Sequence, residues 1–135
     1  MFHEFDLLVP AFTAKASSAV ETAALTKGHV TAVEIMFPRG CAGQVFVVVE
    51  RGESQLWPSN PDGAHKGDGV VLRWDEDYPL PDEPLTLTLR GWAPAARFDH
   101  TITFRFEMVP LDQAEAARAL PGLVRRMAGA LIGNR

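Results

Sequence analysis

Cysteine is nearly missing from this chain: Cys41 is the only one in 135 residues. An intrachain disulfide framework is thereby excluded, and the fold cannot depend on an oxidising compartment. Long apolar runs are missing too. None approaches the roughly 18 residues that a membrane span requires, and the opening Met1-Phe2-His3-Glu4-Phe5-Asp6 lacks the basic start of a secretory signal. The expectation is a protein made in the cytoplasm that stays soluble. Positive charge is in short supply: the net charge of −4 argues against a general nucleic-acid binder, which would carry a basic surface.

The chemistry of sites is equally sparse. His3, His29, His65 and His100 stand far apart, whereas a zinc site wants pairs of His or Cys two to five residues apart. Ser17, Ser18, Ser54 and Ser59 lie outside any Gly-x-Ser-x-Gly elbow, so no nucleophile is announced. Gly63, Gly67 and Gly69 do not open a helix, which leaves a phosphate cradle without its dipole. Neither an internal repeat nor a low-complexity tract is visible. The sequence therefore predicts no catalytic residue, no metal and no cofactor.

What the chain does have is alternation. Leu85, Leu87 and Leu89 share one face of a strand with Thr86, Thr88 and Arg90 opposite, and Ile102, Phe104 and Phe106 alternate with Thr101, Thr103 and Arg105. A half-buried antiparallel sheet needs this period, which an amphipathic helix cannot use. Further candidate strands fall at residues 5–9, 20–25, 30–37, 44–50, 54–57 and 70–75, the first one an edge strand ended by Pro10. Pro79, Pro81 and Pro84 read as a crossover after the strand that carries Trp74. Arg51-Gly52-Glu53 reads as a short hairpin connection. Eight strands at this spacing predict a mainly β fold, an eight-strand antiparallel β-sandwich of jelly-roll or immunoglobulin-like type. Strand parity predicts a core of Val33, Ile35, Val47, Leu72, Trp74, Leu87, Leu89, Ile102, Phe104 and Phe106. The run from Val45 to Val49 is apolar on both faces and predicts cover on both sides, by its own core and by something else.

After Pro110 the spelling changes, which divides the chain into a sandwich over residues 1–110 and an amphipathic helical extension over 111–135. Asp112-Gln113-Ala114-Glu115 has the order of a capping box, with Leu111 placed as a staple. Leu120, Leu123, Val124, Met127 and Leu131 recur at helical spacing, while Arg118, Arg125 and Arg126 lie on other faces. Pro121-Gly122 predicts a break or kink. This extension carries four arginines against two acids, whereas the first 110 residues carry nine basic against fifteen acidic. Its stripe could cover the chain's own domain or a neighbour, and the expectation is docking on another subunit or a partner protein, with the arginines meeting acidic surface there.

Three local groupings invite other readings. Asp62, Asp68, Asp75, Glu76 and Asp77 gather acidic oxygens, but not at the spacing of an EF-hand loop, so a solvated acidic segment is the simpler account. Trp92, near a strand end on the threonine face, is the best candidate for an exposed aromatic. With Asn60 and Asp62 of the turn-rich loop at residues 58–69 it would make the site of a carbohydrate-binding or adhesin-like module. Cys41 reads as a small, partly buried turn residue, and His100 as a hydrogen-bonding group at the mouth of the last strand.

Several stretches also carry a resemblance. Phe37-Pro38-Arg39-Gly40-Cys41-Ala42-Gly43, Gln55-Leu56-Trp57-Pro58-Ser59-Asn60-Pro61-Asp62-Gly63, Gly67-Asp68-Gly69, Gly91-Trp92 and His100-Thr101-Ile102 give a chain that resembles small β-sandwich proteins of tailed bacteriophages and prophages, usually encoded among virion genes. The likeness covers residues 5–108 and leaves the extension outside it. It implies a non-enzymatic virion component that packs in multiple copies on a capsid, connector or tail. Its partners would be itself and other virion proteins, with no nucleic acid and no membrane, and its location the virion after synthesis in the host cytoplasm.

Overall fold

The computed structural model describes residues 1–111, so the expectations for Arg118, Leu120, Leu123, Val124, Arg125, Arg126, Met127 and Leu131 lie outside the described residues. Eight strands follow in order: β1 (Phe2–Val9), β2 (Ala19–Ala24), β3 (Gly28–Phe37), β4 (Phe46–Arg51), β5 (Ser54–Trp57), β6 (Val70–Leu80), β7 (Thr86–Trp92) and β8 (His100–Pro110). They form two four-stranded sheets, β1-β8-β3-β6 and β2-β7-β4-β5, and every ladder is antiparallel.

The pairing has a simple logic. β1 lies beside β8, β2 beside β7, β3 beside β6 and β4 beside β5, as though one long hairpin had been laid double and then folded over. The β3–β8 and β4–β7 ladders join the pairs within each sheet. The hairpin closes at Gly52-Glu53, where Gly52 takes φ 60°, the left-handed value that a two-residue turn asks of its first residue. In an immunoglobulin-type sandwich the first two strands are neighbours in one sheet. Here β1 and β2 lie in different sheets, so that alternative is not the order found.

Alternation placed the core correctly on most strands. Val33, Ile35, Val47, Leu87, Leu89, Ile102, Phe104 and Phe106 are fully buried between the sheets, joined by Leu7, Val9 and Phe37. At roughly 1.5–3 kcal/mol for each large apolar side chain, this burial is the main stabilising contribution. Trp57 sits among aromatic rings, edge-on to Trp74 at 6.3 Å and to Tyr78 at 5.7 Å and stacked on Phe106 at 6.3 Å. Leu72 and Trp74 point the same way but are only half-buried, because β6 is the outermost strand of its sheet. Parity fixes the face a residue looks toward, not its depth.

Two further differences have local causes. β6 does not stop before the prolines but runs through Pro79 to Leu80, opposite His29 and Gly28. An edge strand tolerates this because a missing N–H on its open side costs no ladder bond. In β3 the register slips at Thr31, between Val30 and Ala32, against both neighbouring strands. This bulge keeps both Val30 and Val33 buried although their spacing is odd, and the Thr31 hydroxyl donates to Glu107 Oε1 at 2.8 Å.

Candidate functional site

The outer face of the first sheet is a ladder of paired charges. Register aligns Glu4 on β1, Arg105 on β8, Glu34 on β3 and Arg73 on β6 in one row across all four strands, with signs alternating. Arg105 Nε donates to Glu4 at 2.6 Å, and Arg73 approaches Glu34 at 3.3 Å. The hydrogen bond and charge of Glu4, with the more distant Glu34, hold the Arg105 guanidinium above its ordinary pKa. The next row is half polar and half apolar: Thr103 donates to Asp6 at 2.8 Å, and Met36 and Val71 follow, both partly exposed. A depression on this face is lined by Glu34, Thr103 and Arg105, which pair with Arg73, Asp6 and Glu4 outside it, and by the apolar Met36 and Val71. Opposite charges in facing positions satisfy a solvated face.

The second sheet covers much of its outer face with its own side chains, leaving Val20 on β2 exposed. Phe46 and Trp92 stack at 6.0 Å, Lys15 lies 5.1 Å over the Trp92 ring and Lys66 lies 6.0 Å over Phe46. Arg90 stands opposite Val48 and its Nε donates to Glu50 at 3.1 Å, so its stem runs along the same face. Val48 is buried within the single chain. The strand with two apolar faces is thus already covered on both, and no partner is needed for it.

The loop at residues 58–69 is pinned rather than open. Gln55 Nε2 donates to the carbonyls of Pro58, Asn60 and Gly63 at 2.8–3.2 Å. His65 exchanges two backbone hydrogen bonds with Val47 and stacks on Trp74 at 5.0 Å, closing the flank of the sandwich. Burial pushes its imidazole below the usual histidine pKa. Gly40 N–H donates to Asp68 at 2.8 Å, and Cys41 beneath is buried, its thiol pKa raised by burial and by the charge of Asp68.

The acidic group suggested by the sequence is dispersed accordingly. Asp68 caps Gly40, Glu76 accepts from Trp74 Nε1 at 2.8 Å, and Asp77 meets His29 at 3.0 Å. Trp92 is not exposed, since Lys15 and Phe46 cover its ring, so the alternative of an open stacking platform there finds no exposed ring. Asn60 and Asp62 lie in the exposed part of the pinned loop.

One pole of the sandwich is different, and sequence reading passed over it. The β1–β2 and β7–β8 connections are stitched together: Phe12 N–H donates to Ala96 O, Ala93 N–H to Thr13 O, and Ala11 N–H to Asp99 Oδ1, all at 2.8–2.9 Å. On this rigid seam Phe12 is 63% exposed, Phe98 74% and Leu8, at the adjoining end of β1, 55%. Phe12 also holds φ 59°, a left-handed conformation that is uncommon outside glycine, asparagine and aspartate. A strained aromatic locked outward by backbone bonds is a candidate contact site. Its faint signal in the sequence is two isolated phenylalanines among turn formers, in Pro10-Ala11-Phe12-Thr13 and Arg97-Phe98-Asp99.

These features define an eight-stranded antiparallel sandwich with largely polar or self-covered faces, apolar exposure at Val20, Met36 and Val71 on them, and two well-exposed phenylalanines at one pole. No protein-family model matches the chain, and no curated protein matches it. Among solved structures it is similar to one of tomato aspermy virus, determined by X-ray crystallography, at 16% identity over 90% of this chain and 82% of that one, with a TM-score of 0.40. It is also similar to a Bacillus endospore appendage described as a disulfide-linked pilus, at 15% identity over 81% of this chain and 90% of that one, with a TM-score of 0.34. At these identities and scores neither likeness says what this chain does.

Proposed function

We propose that this protein is a non-enzymatic structural subunit that works by assembling in multiple copies, as a decoration, connector or tail component of a phage particle. The observation that carries the proposal is the stitched pole, where backbone bonds hold Phe12 and Phe98 in water beside Leu8, at 63%, 74% and 55% exposure. Apolar groups presented rigidly in this way suit protein contact. The strand order β1-β8-β3-β6 and β2-β7-β4-β5 supports reading the sandwich as a jelly roll, an architecture common among capsid and lectin domains. That support is analogy of fold, and function rests on the surface. The resemblance to virion-associated sandwich proteins supplies the setting, and the apolar stripe of residues 120–131 supplies a second adhesive element.

Sedimentation velocity of the full chain over a hundredfold range of concentration tests this reading. Species larger than a monomer are expected to grow with concentration. A monomer throughout, together with absence of the chain from purified particles by mass spectrometry, would overturn it.

A further inference from the structure

We infer that the stitched pole receives the C-terminal extension, residues 112–135, of a second copy, so that copies associate head to tail. This inference rests on the multi-copy reading above and names the partner of the apolar pole. Three observations lead to it.

The first is position. β1 and β8 run antiparallel, with Phe2 opposite Glu107 and Val9 opposite His100. Phe12, just past β1, and Phe98, just before β8, therefore share one pole, while the chain leaves the described body after Pro110 at the other. The 11 residues of β8 separate the two poles by roughly 36 Å. With the helical spacing its sequence predicts, the extension would span about that distance. To reach its own Phe98 it would have to lie flat along a whole sheet face.

The second is what those faces carry. A path over the first sheet crosses the Glu4–Arg105–Glu34–Arg73 row, and a path over the second crosses the Arg90–Glu50 pair. An apolar stripe laid on either would desolvate charges that are already paired with one another. A copy placed beyond the pole meets no such obstacle.

The third is size and charge. Leu8, Phe12 and Phe98 expose on the order of 300–400 Å² together, given that an aromatic side chain buries 150–250 Å². Stable contact between two globular faces takes about 800 Å² from each partner, so the patch fits a narrow apolar stripe better than a second sandwich. Leu120, Leu123, Val124, Met127 and Leu131 supply a stripe of that kind. Asp6, on the same face of β1 as Leu8, accepts from the Thr103 hydroxyl and has no ion pair among the described residues. It offers a carboxylate to an arginine flanking the incoming stripe.

Engineered disulfides between full-length chains decide the matter, since buried Cys41 stays out of the exchange. Phe98→Cys and Leu123→Cys chains carrying different tags are mixed and oxidised, and the links are located by mass spectrometry. The expected product is a hetero-linked pair joining position 98 of one chain to position 123 of the other. Preferential linking of Phe2→Cys to Leu123→Cys would place the extension at its own exit pole and overturn the inference. So would an intrachain link in a chain carrying both the Phe98→Cys and Leu123→Cys changes, or Phe98→Cys chains linking mainly to each other. Oligomers without any 98–123 link would sink this inference and leave the multi-copy reading standing; a strict monomer would end both. Phe12→Gly gives an independent check, because glycine accepts the left-handed conformation freely. That variant is expected to keep or raise its melting temperature while self-association weakens roughly tenfold or more. Unchanged self-association would contradict the inference.

Discussion

The two sheets finish their outer surfaces by different means. The first spends charge: Glu4, Arg105, Glu34 and Arg73 answer one another across four strands, and the face stays wet. The second spends its own bulk: Lys15 and Lys66 lie over the Trp92–Phe46 stack, and the Arg90 stem runs along Val48 to Glu50. A pairing of opposite charges costs little to leave in solvent, whereas a stack of rings must be covered. Both devices satisfy most of the broad faces and leave Val20, Met36 and Val71 partly open on them. The two most exposed rings among the described residues, Phe12 and Phe98, are at a pole, where the backbone itself holds them outward.

The comparison can be broken hardest at the shared core. Phe104, on the inner face of the first sheet, is fully buried, and Phe104→Ala is expected to cost about 3–5 kcal/mol in urea unfolding. A loss below about 1 kcal/mol would mean that the two sheets are not packed through it. The second sheet is sharpened at Gly91, where an added Cβ would meet Val9 at 2.8 Å, Leu7 at 3.0 Å and Val47 at 3.3 Å. Gly91→Ala should destabilise by about 1–3 kcal/mol through overpacking, unless the sheets move apart freely.

Acid probes the flank between the sheets. The Nε2 of His65 is buried without a hydrogen-bond partner among the described residues, and burial lowers its pKa. The unfolded chain takes up this proton near pH 6.5, the folded chain only at lower pH. The contribution of His65 is therefore complete above about pH 6.5 and is lost as the pH falls toward the folded-state pKa, at up to about 1.4 kcal/mol per pH unit. His65→Phe, which keeps a ring on Trp74, should flatten that slope between pH 7 and 5; an unchanged slope would clear His65 of it. The smallest effect is expected on the wet face. Glu34→Gln leaves Arg73 in solvent and should change stability by a few tenths of a kcal/mol, less at high salt.

Much of the fold was legible because a half-buried strand writes its burial in alternate letters. In the run from Leu85 to Leu89 and the run from Ile102 to Phe106 the inward face could be read from the letters, while the register came only with the pairing of distant strands. The bulge at Thr31 was not legible, since one unpaired residue leaves no mark in composition. Nor was the extension of β6 through Pro79, because edge position depends on which strands pair, and that is settled by contacts distant in sequence. The same blindness hid the candidate site. Phe12 and Phe98 stand 86 positions apart, and only the stitching of two loops makes them one surface. Trp92, which looked exposed by parity, is covered by Lys15, a residue from a different connection.

Removing residues 111–135 tests the central claim most directly, because it separates a finished sandwich from the element proposed to join copies. The shortened chain should keep its β circular dichroism and a cooperative melt, and should sediment as a monomer where the full chain associates. A shortened chain that unfolds would make the extension part of the domain's own core. One that still associates as the full chain does would place the interface on the sheets and contradict assembly through the extension.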